Sequence, residues 1–264
     1  MASIIDNSVT LSASLVLYKN DQEMVRKAVI SVLESPVNVK LYVIDNSPTA
    51  ELAIIFTDLD IEYHHTQGIN LGFGKAHNIA LSKIPNSDYH LILNPDIYFD
   101  QDVLPILLQY LQENQEIGLI SPKIYYPKGE LQYLCKRYPS VFLLFARRFL
   151  PKKLQEFYKK HLDWYEMRDT GYNKIIDVPY LSGCFMLFRR KYLDEIGYFD
   201  EKIFMYLEDA DITLRMAKKY KTIFYPHVHI FHHWAKGSYK SLKLTMVNIQ
   251  SAIYFFNKHG WKLF

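Results

Sequence analysis

The run Tyr89-His90-Leu91-Ile92-Leu93 stops abruptly at Asn94-Pro95-Asp96, and this junction limits what the chain can become. A mostly apolar run of this length suits a buried strand, and Pro95, with no N–H to give to a ladder, ends it there. Asp96 is thereby presented at the carboxyl end of a strand, where open α/β sheets bind their ligands. Such a carboxylate suits a divalent cation bridging to phosphate oxygens, although Asn-Pro-Asp is also an ordinary turn signature. The arrangement occurs twice earlier: Ala13 to Leu17 ends in Tyr18-Lys19-Asn20, and Lys40 to Ile44 ends in Asp45-Asn46-Ser47-Pro48. Between them Met24, Val25, Ala28, Val29, Val32 and Leu33 recur at helical spacing, with Asn20 and Glu23 as the expected capping box and Ser35-Pro36 as the stop. Strand, helix and strand in that order imply a parallel pair with a right-handed crossover, so the three polar tips line one sheet edge.

A third short strand is expected at Ile61 to Tyr63, followed by Asn70-Leu71-Gly72-Phe73-Gly74 and a helix over 75–82. This turn matches neither GxGxxG nor the Walker pattern. Its two glycines either let the backbone approach a phosphate or serve a helix start that needs positive φ. A helix with the stripe Val103, Leu104, Leu107, Leu108 and Leu111 and a strand from Ile117 follow. Residues 139–168 then turn basic and aromatic around Pro151, which reads as an inserted helical lid. A strand at Cys184 to Phe188 resumes the core and leads to a second acidic cluster, Glu208, Asp209 and Asp211, in the first turn of a helix. The macrodipole favours acids there, but a rotation of about 100° per residue turns at least one of the three inward. Four histidines, His227, His229, His232 and His233, crowd an extended segment after a strand at Thr222 to Tyr225; imidazole suits Mn2+ or diphosphate oxygens. The last helix, from Ser241, carries Leu242, Met246, Ile249, Ile253 and Phe256 at 4,3,4,3 spacing, read as a core or partner seam or as an interfacial face.

At 264 residues, 49% hydrophobic and 22% charged, the chain has the composition of an ordinary globular domain. A net charge of +3 is too small to indicate nucleic acid, and there is neither a dominant basic stripe nor an RNP-like strand. Basic residues instead gather at Arg147, Arg148, Lys152, Lys153, Lys159 and Lys160 and again at Lys236, Lys240, Lys243, Lys258 and Lys262, both times among aromatic residues. Cys135 and Cys184 have no metal spacing, and no GxSxG occurs. With no signal-like N-terminus and no run of about 18 apolar residues, the expectation is a cytoplasmic chain that does not span the membrane and can lie on its cytoplasmic face.

Taken together, Leu17-Tyr18-Lys19-Asn20, Asp45-Asn46-Ser47, Asn70 to Gly74 with Asn78, Leu93 to Asp96, Ser182-Gly183-Cys184, Gly197 to Asp200, Phe204 to Asp211 with Arg215, and Lys236-Gly237-Ser238 resemble the family 2 glycosyltransferases. Among these they are most similar to rhamnosyltransferase-like enzymes of bacterial polysaccharide and O-antigen assembly. The resemblance implies a GT-A fold, a Rossmann-like mixed α/β sheet flanked by helices, in one domain over 1–264. Residues 12–126 would form its nucleotide-sugar half and 127–240 its acceptor half, with 241–264 as a C-terminal helix. It implies that Tyr18, Asn20, Asp45 and Asn46 hold the donor's base and ribose and that Asn70, Gly72 and Gly74 line its diphosphate. Asp96 would be the retained acid of a DxD motif whose first acid is here Asn94, and His232, ahead of His233, a further ligand to Mg2+ or Mn2+. Asp209 would be the catalytic base, with Glu208 and Asp211 in support, Asp211 either orienting the acceptor or pairing with Arg215. The implied reaction is an inverting transfer, from dTDP-L-rhamnose ahead of a UDP-hexose, to a glycan on a polyprenyl diphosphate. A nucleotidyltransferase and a non-catalytic sugar-binding module are the competing readings; the first strand lacks the basic Gly-rich loop of the former.

Overall fold

The computed structural model describes residues 10–84, 87–234 and 241–263. The Lys236-Gly237-Ser238 stretch and Lys240 lie outside them, and the side chain of Lys152 is likewise not described. In chain order the elements are β1 (Leu11–Leu17), α1 (Gln22–Leu33), β2 (Val39–Asp45), β3 (Glu62–His65), α2 (Gly74–Lys83), β4 (Tyr89–Leu93), β5 (Ile97–Tyr98), α3 (Val103–Glu113) and β6 (Ile117–Tyr125). They continue with α4 (Val141–Phe149), α5 (Lys152–Phe157), α6 (Lys159–Tyr165), β7 (Ile176–Asp177), β8 (Phe185–Arg189), α7 (Arg190–Ile196), α8 (Glu208–Ala217), β9 (Lys221–His232) and α9 (Leu242–His259).

The strands form one mixed sheet in the order β3-β2-β1-β4-β8-β6-β9-β5, with β7 beside β9. β1, β2, β3 and β4 are parallel and β8 runs against β4, so Leu93 lies opposite Phe185 and the entry to β8 meets the exit of β4. That is why the backbone N–H of Asn94 can donate to the carbonyl of Cys184, at 2.9 Å. The strand period of two sorts β1 cleanly: Leu11, Ala13, Leu15 and Leu17 join the main core with α1 and α3, whereas Ser12 and Ser14 face the opposite layer.

Two local expectations are corrected. The N-cap of α1 is Asp21, which accepts from the N–H of Met24, while Asn20 folds back to accept from the N–H of Tyr18. The capping box therefore does not form, and Asn20 is held at the strand tip. The histidine segment does not follow a strand but is part of one, β9, which keeps pairing with β6 through a register shift between Tyr225 and His229. Pro226 has no N–H for a ladder, which makes that interval the natural place for the irregularity.

Behind the site edge Ser12, Ser14, His77 and His90 form a buried polar cluster. Ser14 Oγ lies 2.7 Å from His77 Nδ1 and 2.9 Å from His90 Nε2, and Ser12 Oγ lies 2.8 Å from His90 Nδ1. Burial pushes the His77 imidazole down to about 3 and His90 well below its ordinary range. The unfolded chain takes up these protons from about pH 6.5 downward and the fold does not, so stability is full above that pH and is lost as the pH falls toward 3. The loss amounts to at most about 1.4 kcal/mol per pH unit for each histidine. Urea unfolding at pH 7, 6 and 5 is expected to give a shallower pH slope for His77→Gln than for the unaltered chain; equal slopes would contradict the assignment.

Candidate active site

The three parallel strand tips meet the second acidic cluster at one edge. Asp45 is fully buried: Oδ1 accepts from the N–H of Ser47 at 2.8 Å and Oδ2 from the Tyr63 hydroxyl at 2.7 Å. Asn46 is also buried, and its Nδ2 donates to the carbonyl of Gly72 at 2.9 Å. These two side chains thus shape the edge from within, while Tyr18, 46% exposed, stands at its rim. Asn70 Oδ1 accepts from the N–H of Gly72 at 3.0 Å, and Phe73 N–H donates to the carbonyl of Phe204. Gly72, at φ +81°, has a protein reason to be glycine, because a Cβ there would stand 2.1 Å from the Phe204 carbonyl oxygen. The Asn70–Gly74 loop is accordingly locked to the acidic segment that precedes α8.

Asp209 is gripped by three donors: the Tyr180 hydroxyl and its neighbour Ala210 N–H reach Oδ1 at 3.1 and 2.9 Å, and Gly183 N–H reaches Oδ2 at 3.0 Å. It lines a cavity of about 330 Å3 together with Asn94, Ser182, Cys184, Glu208 and His232. The other two acids of the cluster have different surroundings. Glu208 is buried with Oε2 unpaired among the described residues, and burial together with the Asp209 charge raises its pKa well above the ordinary carboxylate range. Asp211 is fully buried outside the cavity lining and pairs with Arg215 Nε at 2.9 Å, Lys258 Nζ at 2.7 Å and His259 Nε2 at 2.7 Å. Its burial opposes ionisation, but Lys258, Arg215 and His259 outweigh that and hold its pKa low. Asp211 is therefore the anchor of α9, in the pairing with Arg215 that was one of the two expected roles.

At the β4 tip, Asp96 Oδ1 is a buried oxygen with no hydrogen-bond partner among the described residues, and His232 Nε2 lies 3.4 Å from it. β9 puts Val228, Ile230 and His232 on its buried side and leaves His227, His229 and His233 exposed. His229 lies against Tyr125 and Phe231, and His233 against Tyr98, so of the four histidines only His232 reaches the cavity. Sequence reasoning missed Gln132. It is buried, its Nε2 donates to the His232 carbonyl at 2.6 Å, and its Oε1 lies 2.9 Å from His232 Nδ1. With the amide so oriented, Oε1 can only accept, so Nδ1 carries the proton and Nε2 is turned to Asp96. Burial works against the imidazolium, but Cys184 and Asp96 overcome it and raise the pKa to about 10. A proton or a metal ion between the two side chains would complete the pair. A carboxylate oxygen and an imidazole nitrogen are a donor set that suits Mn2+, and no group of three or more metal-ligating side chains occurs among the described residues. The residues fit a divalent ion that takes its other ligands from phosphate oxygens and water.

With this geometry in view, the family is decided by the profile of Glycosyl transferase family 2, which matches residues 15–197. The chain belongs to glycosyl transferase family 2. An N-acetylglucosaminyl-diphospho-decaprenol L-rhamnosyltransferase of Mycobacterium tuberculosis is 25% identical over 214 residues, covering 74% of this chain and 67% of the relative. Rhamnosyltransferase WbbL of Escherichia coli K12 is 23% identical over 231 residues, covering 83% and 82%. Among solved structures, GalNAc-T7 with UDP, GalNAc and Mn2+ superposes with a TM-score of 0.64 at 15% identity, covering 85% of this chain and 43% of that one. The mannosyltransferase PcManGT of Pyrobaculum calidifontis, in complex with GDP-Man and Mn2+, gives 0.62 at 17% identity, covering 96% and 65%. The chain thus spans less than half of GalNAc-T7, and the shared feature is the GT-A fold. For this family 2 glycosyltransferase, Gln132→Leu is expected to weaken Mn2+ binding, followed by calorimetric titration, by about 10- to 100-fold. Unchanged affinity would remove Gln132 from the site.

Proposed function

We propose that this glycosyltransferase moves a sugar, with inversion, from a nucleotide-sugar donor to a hydroxyl of a lipid-linked glycan in cell-surface polysaccharide synthesis. The donor is dTDP-L-rhamnose ahead of a UDP-hexose, a preference supported by the two rhamnosyltransferases to which the chain is similar. The observation that carries the reading is the sorting of the acidic cluster. Burial disfavours ionisation of Glu208, Asp211 is taken up by Arg215, Lys258 and His259, and Asp209 is the carboxylate that Tyr180 and the Gly183 amide hold at the cavity. One base suits one displacement: Asp209 accepts the acceptor's hydroxyl proton as that oxygen attacks the anomeric carbon, and the nucleoside diphosphate departs. Tyr180 and the Gly183 amide hold the carboxylate in place for that transfer and keep it from turning toward Glu208. Asp96 and His232 would hold Mg2+ or Mn2+, which when bound stabilises charge on the leaving diphosphate. Tyr18, Asn20 and Asn70 stand at the rim as contacts for the nucleotide, over a floor shaped by Asp45, Asn46, Gly72 and Gly74.

The same reading gives α4 and α9 a membrane role. Leu242 and Met246 are 88% and 56% exposed, and Ile249, Ile253, Phe145 and Phe149 are exposed with them. Of the α9 stripe only Phe256 joins the core, beside Ser251 and Phe255; Leu242, Met246, Ile249 and Ile253 face outward. No helix among the described residues is long and apolar enough to cross a membrane. An apolar face flanked by cationic side chains supports peripheral contact with the cytoplasmic leaflet.

Asp209→Asn is expected to lower the transfer rate by about 10²- to 10⁴-fold while leaving the Kd of the nucleotide sugar in place, and the anomeric configuration of the product, read by NMR, is expected to be inverted. A variant within a few-fold of the unaltered enzyme, or a retained configuration, would contradict the mechanism.

A further inference from the structure

Immediately before the acidic cluster the backbone is strained. Tyr206 and Leu207 have φ +71° and +67°, two consecutive non-glycine residues in the left-handed region, and α8 starts at the next residue, Glu208. Residues with a side chain seldom take this conformation, and it persists only where the surroundings impose it. The double reversal turns the chain out of Phe204 and Met205, where the Phe204 carbonyl is tied to the glycine-containing loop, into a helix whose first turn carries Asp209 to the cavity. Relaxation of Tyr206 or Leu207 to an ordinary conformation would swing that turn and take Asp209 off its Tyr180 and Gly183 donors.

The surroundings that impose it belong to α9. Ser251, in the middle of that helix and 5% exposed, donates from Oγ to the carbonyl of Met205 at 2.7 Å, directly ahead of the strained pair. One turn on, Phe255 and Phe256 share a buried cluster with Leu207, Ala210 and Tyr180, so the helix supports both the strained pair and the tyrosine that holds Asp209. At its end Lys258 and His259 hold Asp211, two residues beyond Asp209, at 2.7 Å each. The segment is thus fixed on both sides of Asp209 by one helix, and Ser251, Phe255 and Phe256 do so without lining the cavity themselves. We propose that Ser251, Phe255 and Phe256 are positioning residues for the transfer: they hold Tyr206 and Leu207 in the left-handed conformation that aims Asp209 into the cavity. The inference rests on the reading of Asp209 as the base.

The test is a double-mutant cycle on the full chain with Ser251→Ala and Tyr206→Gly, since glycine takes the left-handed conformation without strain. The amide proton resonance of Gly183, which donates to Asp209, reports the place of the carboxylate without turnover. In Ser251→Ala that resonance is expected to move upfield. Release of dTDP from dTDP-L-rhamnose and Mn2+, with water as the acceptor, is expected to fall about fivefold in kcat at unchanged KM, as for loss of one hydrogen bond. On the Tyr206→Gly background the same substitution is expected to move the resonance less and to lower kcat by a smaller factor, whereas a serine that served stability alone would act equally on both. Loss of the Tyr206 side chain from the cavity wall cancels in that comparison. A Gly183 resonance unmoved by Ser251→Ala, or an equal effect on both backgrounds, would overturn the proposal. A resonance that moves while turnover stays the same would leave the positioning as it stands and overturn the reading of Asp209 as the base.

Discussion

The hydrogen bond from the Gly183 amide to Asp209 is the contact on which the arrangement of the site depends. It joins the loop entering β8 to the first turn of α8, and it is a close approach: a Cβ on Gly183 would sit 3.1 Å from that of Asp209. β8 is itself fixed by pairing with β4, whose exit delivers Asn94 and Asp96. Through this one backbone donor Asp209 is therefore referred to the same sheet edge as Asp96 and His232. The Phe73 amide on the Phe204 carbonyl does the same for the glycine-containing loop. Neither bond contributes more than about 1–3 kcal/mol, yet together they give two acidic clusters, far apart in sequence, one shared cavity.

The carboxyl-edge architecture was legible from residues alone, since apolar runs that end in polar tips leave a chain few folds to choose from. Strand limits fell close to those read from pattern except for β9, which runs on past Tyr225 to His232, and the 139–168 insertion is built of three short helices. The choice of His232 over its neighbours was also open to a reader of the alternation, because Val228 and Ile230 set the buried parity of β9 and His232 continues it. Counting four histidines as one functional cluster ignored that parity.

Environment, which sequence does not carry, decided the rest. Glu208, Asp209 and Asp211 are alike as residue types, and only burial and partners such as Lys258 and His259 of α9, a helix some fifty residues on, push the Glu208 pKa up and tie Asp211 to that helix while Asp209 is left at the cavity. Gln132 and Tyr180 had no motif to reveal them; their contacts with His232 and Asp209 are formed by chain crossing. The stripe on α9 had the spacing of a buried seam, yet all of it but Phe256 is exposed, because the helix is held by Ser251, Phe255 and Phe256 and by the contacts of Lys258 and His259 with the acids. Lys258 is consequently part of the interior bracing of the acidic segment and not of the basic surface to which composition assigned it.

The central claim is that a nucleoside diphosphate binds at the β4 tip through a metal held by Asp96 and His232. The most direct measurement is thermal stabilisation by dTDP, UDP, GDP and CMP, each with and without Mn2+, on the unaltered chain and on Asp96→Ala. The account predicts a shift with dTDP that requires Mn2+ and disappears in Asp96→Ala. Stabilisation that is indifferent to metal and survives the substitution, or no stabilisation by any of the four nucleotides, would contradict it.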